Sequence, residues 1–364
     1  MIKVPAAPAS RCSEPVCVPS GSSDGSRNTS SVLCNLEASD LTIRGHGDVH
    51  KPVIDSNHPD PGVLIQDGVV YAVTTSGDAP DAFPIMTSTD MVNWKLSGHV
   101  FPANAAGRPT WAVRDFWAPE IHRISASQYN VYFAARHKDG TLSVGVATGP
   151  TPLGPFSDLG APLVHTPGMG NIDASFFRDG DNDYVIWKRD GNGAIPPVPT
   201  PIFVQRVINN GTTLAAEPYV AITNDQPWEG PLVEGPWIVK QGGMYYMFFS
   251  ANGFTSPKYA IGVARSPNIT GPYEKYASNP ILHRDADASN PAGFTGPGHC
   301  SVVQTPHAKQ WYVVYHAWHN GRIGGSNPRI MAVDELAFDQ GDHWPHLTHN
   351  RTTPSFTPQP LPQV

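Results

Sequence analysis

The chain has 364 residues, a formal net charge of −7, 40% hydrophobic residues and only 15% charged ones. It holds no run of Lys and Arg, which excludes nucleic acid or an anionic membrane surface as its natural partner, and no apolar stretch reaches the length of a bilayer span. The 38 Pro and 34 Gly favour many short strands joined by turns over long helices.

Residues 1–48 are polar and Ser-rich and read as a poorly ordered leader that lacks the apolar core of a secretory signal. Three of the four cysteines, Cys12, Cys17 and Cys34, lie there, and the fourth is Cys300. Their spacing matches no zinc motif, which leaves a disulfide in the tail or free thiols. Four Asn-X-Ser/Thr acceptors, at Asn28, Asn210, Asn268 and Asn350, point the other way, to an extracellular protein.

Residues 49–349 read as a string of short strands. Asp67-Gly68, Asp139-Gly140, Asp179-Gly180 and Gly242-Gly243 each separate apolar runs, as hairpin turns do. Residues 350–364 form a Pro-rich end expected to lie extended on the surface. Within the central region five segments read alike: a polar head, an apolar strand, a turn and an aromatic-rich second strand. The heads are Asp60, Glu120, Asp173, Glu234 and His299, spaced 60, 53, 61 and 65 residues apart. About 60 residues per unit is room for four strands and their loops, the size of a propeller blade. Continuous runs such as Tyr245–Phe249 and Trp311–Tyr315 suit strands buried on both faces. A second landmark, an aromatic-closed turn late in the unit, recurs at Asp90–Trp94, Gly149–Phe156 and Ser266–Tyr273. The expected fold is all-β, a five-bladed β-propeller, with an array of β-sandwiches as the competing architecture.

The first strand of a blade lies nearest the propeller axis, so heads at matched positions converge there. Crowded carboxyls raise one another's pKa, and carboxyls of unequal pKa are what cleavage of a glycosidic bond needs: a protonated acid and an ionised partner. Asp60, fixed before Pro61, suits the ionised base. Glu234, with a longer arm and Trp237 close in sequence, suits the acid, and Asp173 suits a group that tunes that acid or binds a sugar hydroxyl. Taken singly, an Asp before Pro is commonly only a turn residue; the regular recurrence is what lifts these above that reading.

The motifs at residues 57–62 (Asn-His-Pro-Asp-Pro-Gly), 172–177 (Ile-Asp-Ala-Ser-Phe-Phe) and 233–237 (Val-Glu-Gly-Pro-Trp) resemble the three catalytic motifs of glycoside hydrolase family 43. Trp117–Glu120, Gly296–Val303 and Tyr315–Trp318 resemble its other landmarks. The resemblance runs from about Pro52 to Leu347. It implies a five-bladed propeller that inverts the anomeric centre, with Asp60 as general base, Asp173 as pKa modulator and Glu234 as general acid. It further implies a substrate contact at Arg329, which is also placed to depress the pKa of the base. Trp117 is a candidate for stacking on a sugar ring, and Glu120 for a substrate contact or a bond to a backbone amide. No cofactor is required for the chemistry. The resemblance allows a structural calcium in the axial channel, reached by His299 through a water, since calcium prefers oxygen. His316 and His319 flank Trp318 without an assigned role.

The implied substrate is plant cell-wall polysaccharide or its oligosaccharides, cleaved by a monomer to release L-arabinofuranose or D-xylose. An α-L-arabinofuranosidase is favoured over an endo-arabinanase or a β-xylosidase. The stretch 192–201, rich in Pro, is a candidate pocket wall. Two other readings stand beside this one. A retaining fructan or sucrose hydrolase would need sequence signatures that Pro59–Gly62, Arg178–Gly180 and Glu234-Gly235 lack. A non-catalytic sugar-binding propeller would have no use for three intact carboxylates.

Overall fold

The computed structural model describes residues 52–284, 289–290, 293–306 and 308–348. The leader, with Cys12, Cys17 and Cys34, and the Pro-rich end lie outside them. Strands come in five groups, each an antiparallel sheet. Blade one is β1 (Gly62–Gln66), β2 (Val69–Val73), β3 (Ala82–Ser88) and β4 (Lys95–Phe101). Blade two is β5 (Ala112–Ser125), β6 (Gln128–His137), β7 (Leu142–Gly149) and β8 (Ser157–Asp158). Blade three has a fifth strand: β9 (Asn171–Asp179), β10 (Asn182–Arg189), β11 (Ile202–Ile208), β12 (Thr213–Leu214) and β13 (Tyr219–Ile222). Blade four is β14 (Val233–Gln241), β15 (Met244–Ala251), β16 (Ala260–Ser266) and β17 (Glu274–Lys275). Blade five is β18 (Phe294–Gln304), β19 (Trp311–His319), β20 (Ile330–Phe338) and β21 (Pro345–Leu347).

The first strands contact one another in the order β1, β5, β9, β14, β18 and back to β1, which makes a ring and excludes the sandwich array. Residues before β1 close it: Ile54 bridges to Met331 of β20. The predicted turns fall where hairpins need them. Asp67 (φ 50°) and Gly68 (φ 75°) form the two-residue link between β1 and β2, with both residues left-handed as a type I′ turn demands. The three aromatic-closed turns all join the third strand of a blade to its fourth.

Neighbouring blades are joined by apolar side chains. Phe83 and Phe101 of blade one meet Trp111 and Phe133 at blade two, with Phe101 edge-on to Phe133 at 5.4 Å between centroids. Tyr132 of blade two stacks on Phe176 of blade three at 5.8 Å. Ile186 and Val204 of blade three pack with Met247 and Phe249 of blade four. Trp237 and Phe248 of blade four share a core with Val314 and Tyr315 of blade five and Val63 of blade one. The strands between are buried on both faces, which is why they read as continuous apolar runs.

At the axial end the backbone corrects the phase of the repeat. A residue with left-handed φ recurs at matched positions of the five blades, at Asp60 (56°), Ala118 (45°), Asp173 (57°), Gly235 (56°) and His299 (48°), with Asp115 and Gly296 adding a second one in the first strands of blades two and five. In blades two to five the matched residue sits in a β-bulge of the first strand, where the register against the second strand shifts. The equivalent positions are therefore these five, so Glu120 lies two residues past its blade's head and Glu234 one before. The sequence phase follows the polar residue, whereas the structure is phased by the backbone kink. A left-handed non-glycine residue costs roughly 1–3 kcal/mol, and four of the five positions carry one.

Candidate active site

A cavity of ≈460 Å³ opens at the axial mouth, lined among others by Asp60, Trp117, Asp173, Glu234, His299 and Arg329. The bulges account for this convergence, because each kink turns the head of an inner strand off the sheet.

Asp60 is 6% exposed. Its Oδ2 accepts from Thr75 Oγ1 at 2.7 Å, and its Oδ1 accepts from Arg329 Nη1 at 2.8 Å. His316 Nδ1 lies 3.1 Å and His299 Nδ1 3.6 Å from the same Oδ1. Burial opposes ionisation of Asp60, but Arg329 first and then the two histidines outweigh it and hold the carboxyl well below the usual range. Burial and Arg329 push His316 down to about 4, so it faces Asp60 as a neutral imidazole at neutral pH.

Asp173 is also buried, and its Oδ2 accepts the Gly235 amide at 3.0 Å. Burial pushes its carboxyl up to about 6; His299 opposes this, Glu234 adds to it, Lys188 opposes and Asp60 adds. Gly235 is itself constrained, because a Cβ there would stand 3.1 Å from His299 Cγ at a left-handed φ.

Glu234 does not sit in the apolar setting that Trp237 suggests. Trp237 turns its Nε1–H to Val302 O at 2.8 Å and stacks on His122. Glu234 instead meets polar partners: Lys188 Nζ donates to Oε2 at 3.0 Å and the Tyr259 hydroxyl to Oε1 at 2.8 Å. Lys188 is 0% exposed and also bonds Asp190 Oδ1 at 3.0 Å. Burial alone would lower its pKa, but Glu234, Asp190 and Asp173 outweigh that and raise it.

Arg329 and Trp117 line the cavity. Trp117 packs against Ala134, Leu142 and Ile172, and Arg329 lies over the ring of Phe254 at 4.7 Å. Glu120 is 3% exposed, does not line the cavity, and bonds His122 Nε2 through Oε2 at 3.3 Å. Its two-residue offset from the kink leaves it out of the cavity lining. Burial first, and then the charge of Asp173, raise its carboxyl well above the ordinary range. His299 is 5% exposed and donates its amide to Ser250 Oγ at 2.7 Å. One imidazole nitrogen beside carboxylate oxygens already engaged by Arg329, Thr75 and Gly235 is no direct cage for calcium, which takes six to eight oxygens. A calcium at His299 would have to be held by water, and no step below runs through a metal.

Lys188, Tyr259 and Thr75 carry no motif, and His316, inside the Tyr315–Trp318 landmark, had no assigned role. Lys188 leaves a trace in the sequence as the first of two cations, with Arg189, that end the apolar run Val185–Trp187. His319 is directed away from the centre, to Asp55 at 2.7 Å. Of the stretch 192–201 only Asn192 lines the main cavity, while Gly193, Ala194 and Val198 line a side groove of ≈490 Å³. The groove shares Arg136, Leu142 and Asp190 with the cavity.

A five-bladed propeller whose inner strands bring buried carboxyls of opposite pKa displacement to one cavity has the make-up of a glycosidase. The chain belongs to Glycosyl hydrolases family 43, whose model matches residues 49–345, and it is accordingly an enzyme that hydrolyses glycosidic bonds without a cofactor. It is similar to a β-D-galactofuranosidase of Aspergillus niger, 29% identical over 71% of this chain and 72% of that protein. It is also similar to an arabinoxylan arabinofuranohydrolase of Paenibacillus polymyxa, 29% identical over 78% of this chain and 49% of the relative. A β-xylosidase of Bacillus subtilis is 28% identical over 73% and 49%. The chain thus spans about half the length of several curated relatives it matches. Among solved structures, a thermostable family-43 glycoside hydrolase superposes with a TM-score of 0.75 at 32% identity, covering 85% of this chain and 97% of that one.

Proposed function

We propose that this enzyme removes terminal α-L-arabinofuranosyl residues from plant cell-wall polysaccharide or its oligosaccharides, with inversion at the anomeric carbon. The observation that carries the mechanism is the contrast between Asp60, held ionised by Arg329, and Asp173, raised to about 6 beside Glu234. Asp60 takes a proton from a water as that water attacks the anomeric carbon. Glu234 gives a proton to the leaving oxygen as the glycosidic bond breaks. Asp173 holds the Glu234-Gly235 segment through the Gly235 amide and shares the proton economy of the acid. Trp117 offers an apolar face to the ring and Arg329 a donor to a hydroxyl. Two features support a furanose at the chain end. The relatives from A. niger and P. polymyxa are both named for furanosides, and a cavity of ≈460 Å³ suits one or two sugar rings better than a polymer laid across it.

The test is a panel of nitrophenyl α-L-arabinofuranoside, nitrophenyl β-D-xyloside and debranched arabinan, with products sized and the first anomer read by NMR. Arabinose released first, as the inverted anomer, is expected. Xylose release with no arabinose, or oligosaccharides as first products, overturns the substrate assignment; a retained anomer overturns the mechanism. Glu234→Gln should lose activity on poor leaving groups and retain more on good ones. Equal turnover with wild type on both would refute its role as acid.

A further inference from the structure

Outside the active site, His137, Asp139 and His165 bring three potential ligand atoms within 4.8 Å of one another. We propose that these residues form a binding site for a borderline divalent transition ion of the zinc type, on the outer hairpin of blade two. His137 ends β6, Asp139 stands in the turn to β7, and His165 comes from the connection to blade three. His137 Nδ1 lies 3.0 Å from Asp139 Oδ1, and His165 Nε2 3.2 Å from Asp139 Oδ2. Two ligands each ~2.0–2.1 Å from a tetrahedral zinc stand roughly 3.4 Å apart, so the atoms already have nearly the spacing of neighbouring ligands. Two imidazoles with one carboxylate suit zinc, nickel or copper and not calcium. Partial exposure, 22–38% for the three side chains, leaves room for water at a fourth position.

Hydrogen bonds around the cluster hold the three side chains in place. The Ser143 hydroxyl lies 2.8 Å from His165 Nδ1 and 3.3 Å from Thr141 O. With Nδ1 held by Ser143, the His165 ring presents Nε2 to Asp139 Oδ2 at 3.2 Å. His137 Nδ1 lies 3.3 Å from Asp139 N and 3.0 Å from Asp139 Oδ1, so an ion taken up here would replace the proton that these groups otherwise share. Ser143 also acts as the outer-shell group that fixes the ring of a metal-bound histidine. The frame is firm: His137 N donates to Thr141 O at 2.8 Å, Thr141 N to Asp139 Oδ1 at 2.8 Å, and Gly168 N to Thr141 Oγ1 at 3.0 Å. An ion here would brace residues 165–170 against blade two, and Pro167–Gly170 line the side groove that joins the catalytic cavity.

The test uses the full, tag-free chain, stripped with a chelator and titrated with zinc chloride by calorimetry, then with cobalt(II) for its visible absorption. Wild type should bind zinc, gain thermal stability with it, and give cobalt bands of low-symmetry N/O coordination. Asp139→Asn and His165→Ala should each abolish that binding event. Ser143→Ala, which keeps all three ligands, should weaken it by about 10–100-fold. Absence of any zinc binding by folded wild type, or binding and cobalt bands unchanged in both ligand variants, would overturn the proposal. The second result would place the ion elsewhere, such as at the leader cysteines.

Discussion

Replacing Lys188 with Met tests whether a buried cation sets the balance among the active-site carboxyls. The ammonium lies 3.0 Å from both Glu234 Oε2 and Asp190 Oδ1 with no solvent exposure of its own. At an effective dielectric of about 20, a 3.0 Å pair is worth roughly 5 kcal/mol of gross attraction, opposed by the cost of burying the ammonium. Removing one member of a buried pair typically destabilises by ~3–5 kcal/mol. Glu234 and Asp190 border the cavity, at 12% and 14% exposure, so water relieves part of the loss, and about 3 kcal/mol is expected. Methionine preserves the length of the side chain, so little of this is a cavity effect. Lys188 also lowers the pKa of Asp173; without it Asp173 rises further and the basic limb of the kcat/KM profile moves to higher pH. Denaturant unfolding and a pH–rate series measure the two effects. Stability within about 0.5 kcal/mol of wild type together with an unmoved basic limb would refute the reasoning.

Three further outcomes follow from the same geometry. Arg329→Met removes the strongest of the charges that hold Asp60 down, so the acid limb of kcat/KM should move towards neutrality, and an unchanged limb with only KM raised would leave Arg329 as a substrate contact alone. Glu120→Gln bears on stability: a raised folded pKa means that the protonated carboxyl contributes fully below the ordinary Glu range and loses that contribution as pH rises. The Gln variant should therefore gain on wild type in unfolding free energy as pH rises from the ordinary Glu range, about 4, towards the raised folded pKa, and a constant difference across that rise would contradict a buried, proton-holding Glu120. Gly298→Ala would set a Cβ 1.9 Å from Tyr259 Cε1, forcing off Glu234 a ring that stacks on His316; a loss of roughly 1–3 kcal/mol in stability with a fall in kcat is expected, and wild-type turnover would show that the Tyr259 bond is dispensable.

The pairs of strands and the turns between them are local, and they were legible. Asp67-Gly68 and Gly242-Gly243 favour the left-handed backbone that both turns adopt, and a blade buried on both faces leaves an apolar run that needs no partner to be recognised. Asp60, Asp173 and Glu234 were legible for a related reason, since each belongs to a motif a few residues long. Glu120 misled because a polar residue was taken as the marker of phase, when the marker is a kink that Ala118 occupies in that blade. The surroundings of Glu234 misled because an aromatic three residues on lies across a bulge and turns into the core.

By itself the sequence determined the class of fold, the number of blades, the family and the carboxylates at the centre, because these follow from patterns repeated along the chain. The tertiary structure decided what each carboxylate touches. Asp60 meets Arg329 across 269 positions, and Lys188 reaches Glu234 across 46. Charges act through distance in space, and ring closure, which brings the last blade beside the first, is what sets those distances.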